Sequence, residues 1–145
     1  MNRVASPQAL YAQAFAQFRQ GRLEQALQVL GQLLQQAPAH ADGWNLAGVI
    51  HGSRQQHAQA VQCYRRALAA GAAVGTWVNL GLAEQRRLAP DEAEAAFREA
   101  LRRDPALVIA WQKLAGLLED TGRHVEALDC HRQALRLQPG DLRSL

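Results

Sequence analysis

The three tryptophans of this chain limit its architecture more than any other feature. Each heads a similar phrase, WNLAG at Trp44, WVNLG at Trp77 and WQKLAG at Trp111, and the gaps between them are 33 and 34 residues. Aligning on the tryptophans brings the rest into register. A small residue stands four positions on (Gly48, Gly81, Ala115), alanine sixteen on (Ala60, Ala93, Ala127) and a ring twenty on (Tyr64, Phe97, His131). The pairs Ala67-Leu68, Ala100-Leu101 and Ala134-Leu135 follow, and then a helix stop: Pro105 in the third unit, Pro139 in the fourth, with Ala72 beside Gly71 in the second. One unit back, Leu10 takes the tryptophan place, trailed by Ala14, Ala26, Leu30, Leu33-Leu34 and Pro38. The repeats are therefore 7–40, 41–73, 74–107 and 108–141, one domain over 1–145.

Within each unit two segments of about thirteen residues space their apolar side chains by three and four, the period of an amphipathic helix. Turn-forming stretches such as RQGRLE and EDTGRHVE join them, and Gly21 and Gly122 suit a helix C-terminus that needs positive φ. In the second and third units Gln55 and Leu88 replace that glycine, so slightly different turns are expected there. Pro90 fits the first turn of a helix, where its missing N–H costs nothing. The pattern resembles the tetratricopeptide repeat, a 34-residue helix–turn–helix unit with a W, L-G, A, F and P signature. The resemblance implies an all-α, right-handed α-solenoid of four helix-turn-helix repeats. In it the alanines and glycines allow close helix approach, and the tryptophans are structural spacers between units.

The remaining composition narrows the setting. No run of seven apolar residues opens the chain, and no stretch approaches the roughly 20 that a membrane span needs, so a cytoplasmic location and no membrane are expected. The net charge of +3 is mild, and nearly all the basic residues are arginine, Lys113 being the lone lysine. That bias fits a GC-rich bacterial genome better than a nucleic-acid surface.

Chemistry is sparse. Cys63 and Cys130 fall at the same place in the second and fourth units, too far apart for a disulfide if neighbouring helices pack about 8 to 10 Å apart, so both are expected reduced within the packing. His124 and His131 are seven residues apart, a rise of about 10 Å, too far to share one ion. His131, in the slot of Tyr64 and Phe97, is expected to be a partly buried packing residue, while His57 and His124, at the starts of their helices, should be exposed. There is no HExxH, paired CxxC or glycine-rich phosphate loop, and no nucleophile set beside a base and an acid. No metal, cofactor or enzyme activity is expected.

In this family the first helix of each unit lines a concave groove. Carried onto this chain, the groove displays Tyr11, Phe15 and Arg19, then Asp42, Asn45 and Val49, then Asn79, Leu82 and Arg86, and last Gln112, Lys113 and Glu119. Such a mixed surface suits an extended peptide or a partner helix, the role of a protein-interaction scaffold. The carboxylate clamp of some members is poorly matched, because Tyr11 and Phe15 stand at its first lysine and asparagine. The asparagine ladder of others is partial, with Asn79 in register, Asn45 one residue off and Lys113 in the fourth unit.

Two other readings compete. The chain as the N-terminal module of a larger glycosyltransferase, sulfotransferase or oxygenase is one. The other is a convex arginine stripe, Arg65, Arg98 and Arg132 with Arg66, Arg102, Arg103 and Arg136 beside them, set against an acidic or nucleic-acid partner. Ordinary four-apart pairs such as Glu94 with Arg98 and Glu99 with Arg103, and cations at helix ends, explain the stripe more simply.

After Pro139 the chain reads GDLRSL. Leu145 falls at the tryptophan place of a fifth unit, so 142–145 are read as the start of an absent further helix. The apolar side of Trp111, Leu114, Leu118, Leu128 and Leu135 is then expected to stay partly exposed, favouring self-association through the C-terminal end or a longer parent protein.

Overall fold

The structure is a computed structural model that describes residues 4–138. Residues 139–145, including Pro139 and the expected further helix, lie outside the described residues. Among the described residues eight α-helices follow one another: α1 Pro7–Arg19, α2 Leu23–Gln36, α3 Ala41–Ser53, α4 His57–Ala69, α5 Gly75–Arg86, α6 Pro90–Arg103, α7 Val108–Asp120 and α8 His124–Leu137. Each expected unit is thus one pair of helices. The chain divides into two compact units, Met1–Thr76 and Trp77–Leu145.

Local signals start the helices where the sequence places them. Ser6 caps α1, its Oγ accepting from Ala9 N–H at 3.2 Å, and Pro7 occupies the first turn. The α3 cap is a histidine: His40 Nδ1 accepts from Gly43 N–H at 2.8 Å, which fixes the ring and leaves Nδ1 unprotonated. Pro90 opens α6, and the acidic Asp91 and Glu92 of the first turn complement the helix dipole.

The turns inside the repeats are one conformation, not two. Gly21 and Gly122 have φ of 77° and 80°, but Gln55 and Leu88 also sit at 61° and 62°. The same bond closes every one of them, from the third residue beyond the helix back to the carbonyl five positions earlier: Arg22 to Gln17, Gln56 to His51, Ala89 to Glu84 and Arg123 to Leu118, at 2.8 to 2.9 Å. The expected departure at Gln55 and Leu88 is therefore absent. Closing this turn between two packed helices outweighs the left-handed strain of about 1–2 kcal/mol on a side-chain-bearing residue. Leu88 is 87% exposed, so its side chain contributes no packing in return.

In the first unit α1 packs on α2, α2 on α3 and α3 on α4, around a core that includes Leu10, Leu30, Leu33, Leu46 and Ile50. In the second unit α7 packs against both α6 and α8, and Phe97, Leu114 and Leu118 are fully buried. Each such side chain contributes on the order of 1.5–3 kcal/mol. The repeated alanines Ala14, Ala26, Ala60, Ala93, Ala115 and Ala127 are all buried, where side chains of one methyl let the helices approach. Gly48 and Gly81 go further: each lies beneath the ring twenty minus four positions ahead, Tyr64 and Phe97, with no room for a Cβ.

Three expectations are corrected here. His131 is exposed and not a packing ring: the residue in the glycine place is Ala115, whose Cβ occupies the space that Tyr64 and Phe97 fill, and the imidazole turns out to Glu119 Oε1 at 2.6 Å. His57 is half-buried, and its Nδ1 is buried without a hydrogen-bond partner. Leu114 and Leu118 are not partly exposed, because α7 spends that face on its two neighbouring helices; Leu128 and Leu135 are exposed as expected.

Candidate functional site

The first unit gathers its candidate residues around α1. Tyr11 and Phe15, one turn apart, stack with ring centroids 6.2 Å apart, and Phe18 extends the row 6.3 Å beyond Phe15. His40, held by its own cap bond, lies 5.5 Å from Tyr11. Phe15 is 41% exposed, so a row of rings presents an apolar edge to solvent. Burial pushes the Tyr11 hydroxyl above its ordinary pKa of 10.0, and the nearby Asp42 carboxylate adds to the rise, so this ring remains a neutral hydrogen-bonding phenol. Arg19 and Asp42 are exposed and Val49 is half-buried. Asn45 is also half-buried, its Oδ1 accepting from the Thr76 hydroxyl at 3.0 Å. That bond anchors the buried start of α5.

The candidates of the second unit are more dispersed. Arg86 and Gln112 are exposed, Leu82, Asn79 and Lys113 half-buried. Asn79 and Lys113 each stand two residues after a tryptophan, the position that holds the buried Leu46 in the first unit. Glu119 is engaged with His131.

Sequence reasoning passed over several polar features. Phe18 and His40 complete the aromatic row, and the clue was the i, i+3 spacing of Phe15 and Phe18. Glu84 is 2% exposed and ion-paired to Arg87 at 3.2 Å; a buried carboxylate is tolerated only when paired. The tryptophans are half-buried spacers with polar anchors: Trp44 and Trp111 donate through Nε1 to the carbonyls of Pro38 and Pro105, at 2.7 and 2.8 Å. Arg66 lies 4.9 Å over the Trp44 ring and Arg103 5.3 Å over Trp77. Beside Trp44 a notch of about 250 Å³ is lined by Pro38, Ala39, Arg66, Ala69 and Ala70.

The arginines of the second unit are largely neutralised. Arg98, Arg123, Glu94 and Glu126 form a closed ring of ion pairs linking α6 to the start of α8, the shortest at 2.5 Å between Arg123 and Glu94. Burial raises the Glu94 pKa, but hydrogen bonds from Arg123 and Arg98 outweigh it and hold the carboxyl below its ordinary value. Arg102 and Arg103 both grip Glu99 and bring it down to about 2. Guanidiniums already bridged to carboxylates are poor phosphate ligands, which weakens the stripe as a nucleic-acid surface. Among the described residues no group of three potential metal ligands occurs, and no helix is long and apolar enough to cross a membrane.

The sequence profile of the Tetratricopeptide repeat matches residues 11–74 and 78–141. The chain belongs to the tetratricopeptide repeat family. Tetratricopeptide repeat protein 37 of Xenopus laevis is 44% identical over 43 residues, 30% of this chain. The chain spans only 3% of the length of that curated relative. Among solved structures, MamA superposes with a TM-score of 0.88 at 18% identity, covering 94% of this chain and 81% of that one. MamA 41-end from Desulfovibrio magneticus RS-1 gives 0.85 at 21%, covering 93% and 77%. The APC/C hetero-tetramer Cut9-Hcn1 gives 0.81 at 16%, covering 94% of this chain and 28% of that one. At such identities the likeness establishes the fold, an all-α tetratricopeptide solenoid.

Proposed function

We propose that this tetratricopeptide repeat protein is a non-catalytic interaction scaffold that binds an extended peptide or a partner helix on the exposed faces of its first helices. The observation that carries the reading is the aromatic row of Tyr11, Phe15 and Phe18, in which Tyr11 and Phe18 pack against the core and Phe15 is open to solvent. Exposed rings on rigid helices are the side chains that dominate binding energy at protein interfaces. Asp42 and Arg19 flank them with opposite charges able to fix the direction of a peptide. In the second unit Leu82, Arg86, Gln112, Lys113 and Glu119 supply a more polar set. Two free, buried thiols, Cys63 and Cys130, suit a cytoplasmic setting.

Display of a random peptide library against the immobilised protein tests the reading. Peptides with an apolar or aromatic anchor should be enriched, and enrichment should collapse with Phe15→Ala while the thermal midpoint of the variant stays close to that of the parent. Enrichment that survives both Phe15→Ala and Tyr11→Ala would remove the aromatic row from the site.

A further inference from the structure

The inside of the chain shows how a second helix of one repeat receives the first helix of the next. Leu34, on α2, lies over Gly43 at the start of α3, close enough that a Cβ there would come within 3.3 Å of Leu34 Cδ2. Leu27 of the same helix packs against the same core cluster. One repeat position recurs throughout: Leu34, Leu68, Leu101 and Leu135 all stand at the same place in their units, and Leu101, on the helix α6 that α7 packs against, is 8% exposed. On α8 the equivalents of Leu27 and Leu34 are Leu128 and Leu135, and they are 49% and 38% exposed. Among the described residues, the face that elsewhere receives a helix is open.

The receiving half is present too, on α1. In α3 Gly43 meets Leu33 and Leu34 of the preceding repeat, and Leu46 and Ile50 of the same stripe are buried in the core cluster that holds Leu33; in α7 the stripe begins with the buried Ala110. Their equivalents on α1 are Ala9, Ala12 and Ala16, and all three are exposed. A small residue at the Gly43 place is what allows Leu34 to lie across the helix, and Ala9 supplies one. The leucines of α8 and the alanines of α1 therefore match those of α2 and α3 in register, with a small residue kept at the Gly43 place, while lying at opposite ends of the sequence.

We propose that copies of this chain associate head to tail, α8 of one copy seating Leu128 and Leu135 across Ala9, Ala12 and Ala16 of the next in the manner of α2 on α3. The contact is heterologous, so each added copy leaves one open face of each kind and association does not stop at a pair unless a ring closes. It is centred on the alanine stripe and not on the aromatic row, which runs beside that stripe along α1.

Sedimentation across a concentration series tests the proposal with the parent protein and two variants. The weight-average mass of the parent protein should climb past twice the 15.9 kDa of one chain. Leu135→Glu, which spoils the α8 face, and Ala12→Glu, an exposed helix position that leaves folding intact, should each abolish the growth. A one-to-one mixture of the two variants should restore dimers and nothing larger, because each retains the half that the other lacks. Circular dichroism confirms that both variants keep their helices. A parent protein that is monomeric throughout, or a dimer that ignores Ala12→Glu as a symmetric α8 pairing would, overturns the proposal.

Discussion

Gly48 lies directly beneath the ring of Tyr64: a Cβ built on it would sit 2.5 Å from Cε1 and 2.7 Å from Cδ1. Gly81 stands in the same relation to Phe97. Both rings are buried, so neither can swing aside. Gly48→Ala and Gly81→Ala are therefore expected to destabilise by on the order of 1–2 kcal/mol, overpacking exceeding the gain of about 1 kcal/mol in helix propensity. Gly31, exposed on α2 with nothing within 4 Å of its Cβ direction, is the control: Gly31→Ala should stabilise by about 0.5–1 kcal/mol. Urea unfolding of the three variants checks both signs.

Enlarging the alanines at the helix crossings should be costly throughout. Ala60 and Ala93 are completely buried, and replacing either with leucine is expected to cost roughly 1–3 kcal/mol. If both are silent in denaturant titration, the helix register is wrong.

Left-handed turns without glycine leave stability in reserve. Leu88→Gly and Gln55→Gly remove a Cβ penalty at φ of 62° and 61°, and both side chains are exposed. Up to about 1 kcal/mol of stabilisation is expected from each, less what the freer unfolded chain takes back. A lowered thermal midpoint for Leu88→Gly would show that its side chain has a packing role that its exposure does not reveal.

The ion-pair ring and the neighbouring Glu99 cluster make the second unit acid-sensitive. Hydrogen bonds from Arg102 and Arg103 hold Glu99 at about 2, against an ordinary 4.5, and Arg123 depresses Glu126. For Glu94 burial opposes but Arg123 and Arg98 prevail. Folded carboxyls below their unfolded pKa contribute stability that is complete above about 4.5 and lost as the pH falls toward about 2. The urea midpoint should therefore fall across that window. The fall should shrink with Glu94→Gln and with added salt, since these pairs are largely solvent-screened. An acid profile identical in parent and variant would exclude the ring as its source.

The repeat made the fold readable from sequence, because tryptophan, alanine and glycine at fixed offsets report backbone separations that nothing else satisfies. The start of α6 followed from Pro90, while the cap at Ser6 and the first-turn Pro7 of α1 emerged only with the structure. What stayed hidden depended on substitutions at those offsets. Ala115 for glycine turned His131 outward, a coupling between two positions that neither residue displays alone. Gln55 and Leu88 concealed a turn they share with Gly21, since the conformation is set by the helices on either side and not by the residue at its apex. Of the candidate site, α1 supplied a usable signal in its ring spacing. Asn45 did not announce its bond to Thr76, which depends on a contact 31 residues away.

One cysteine falls in each compact unit, Cys63 in Met1–Thr76 and Cys130 in Trp77–Leu145, and both are buried. Burial also pushes each thiol above its ordinary pKa, though Arg66 beside Cys63 and Arg98 near Cys130 pull the other way. A sulfur that is both shielded and protonated is inert toward alkylating reagents. Each half of the molecule therefore carries its own chemical clock. A reagent that captures thiolate marks Cys63 when the first unit opens and Cys130 when the second does, so the opening rates of both are recorded in a single sample, with no probe added to either.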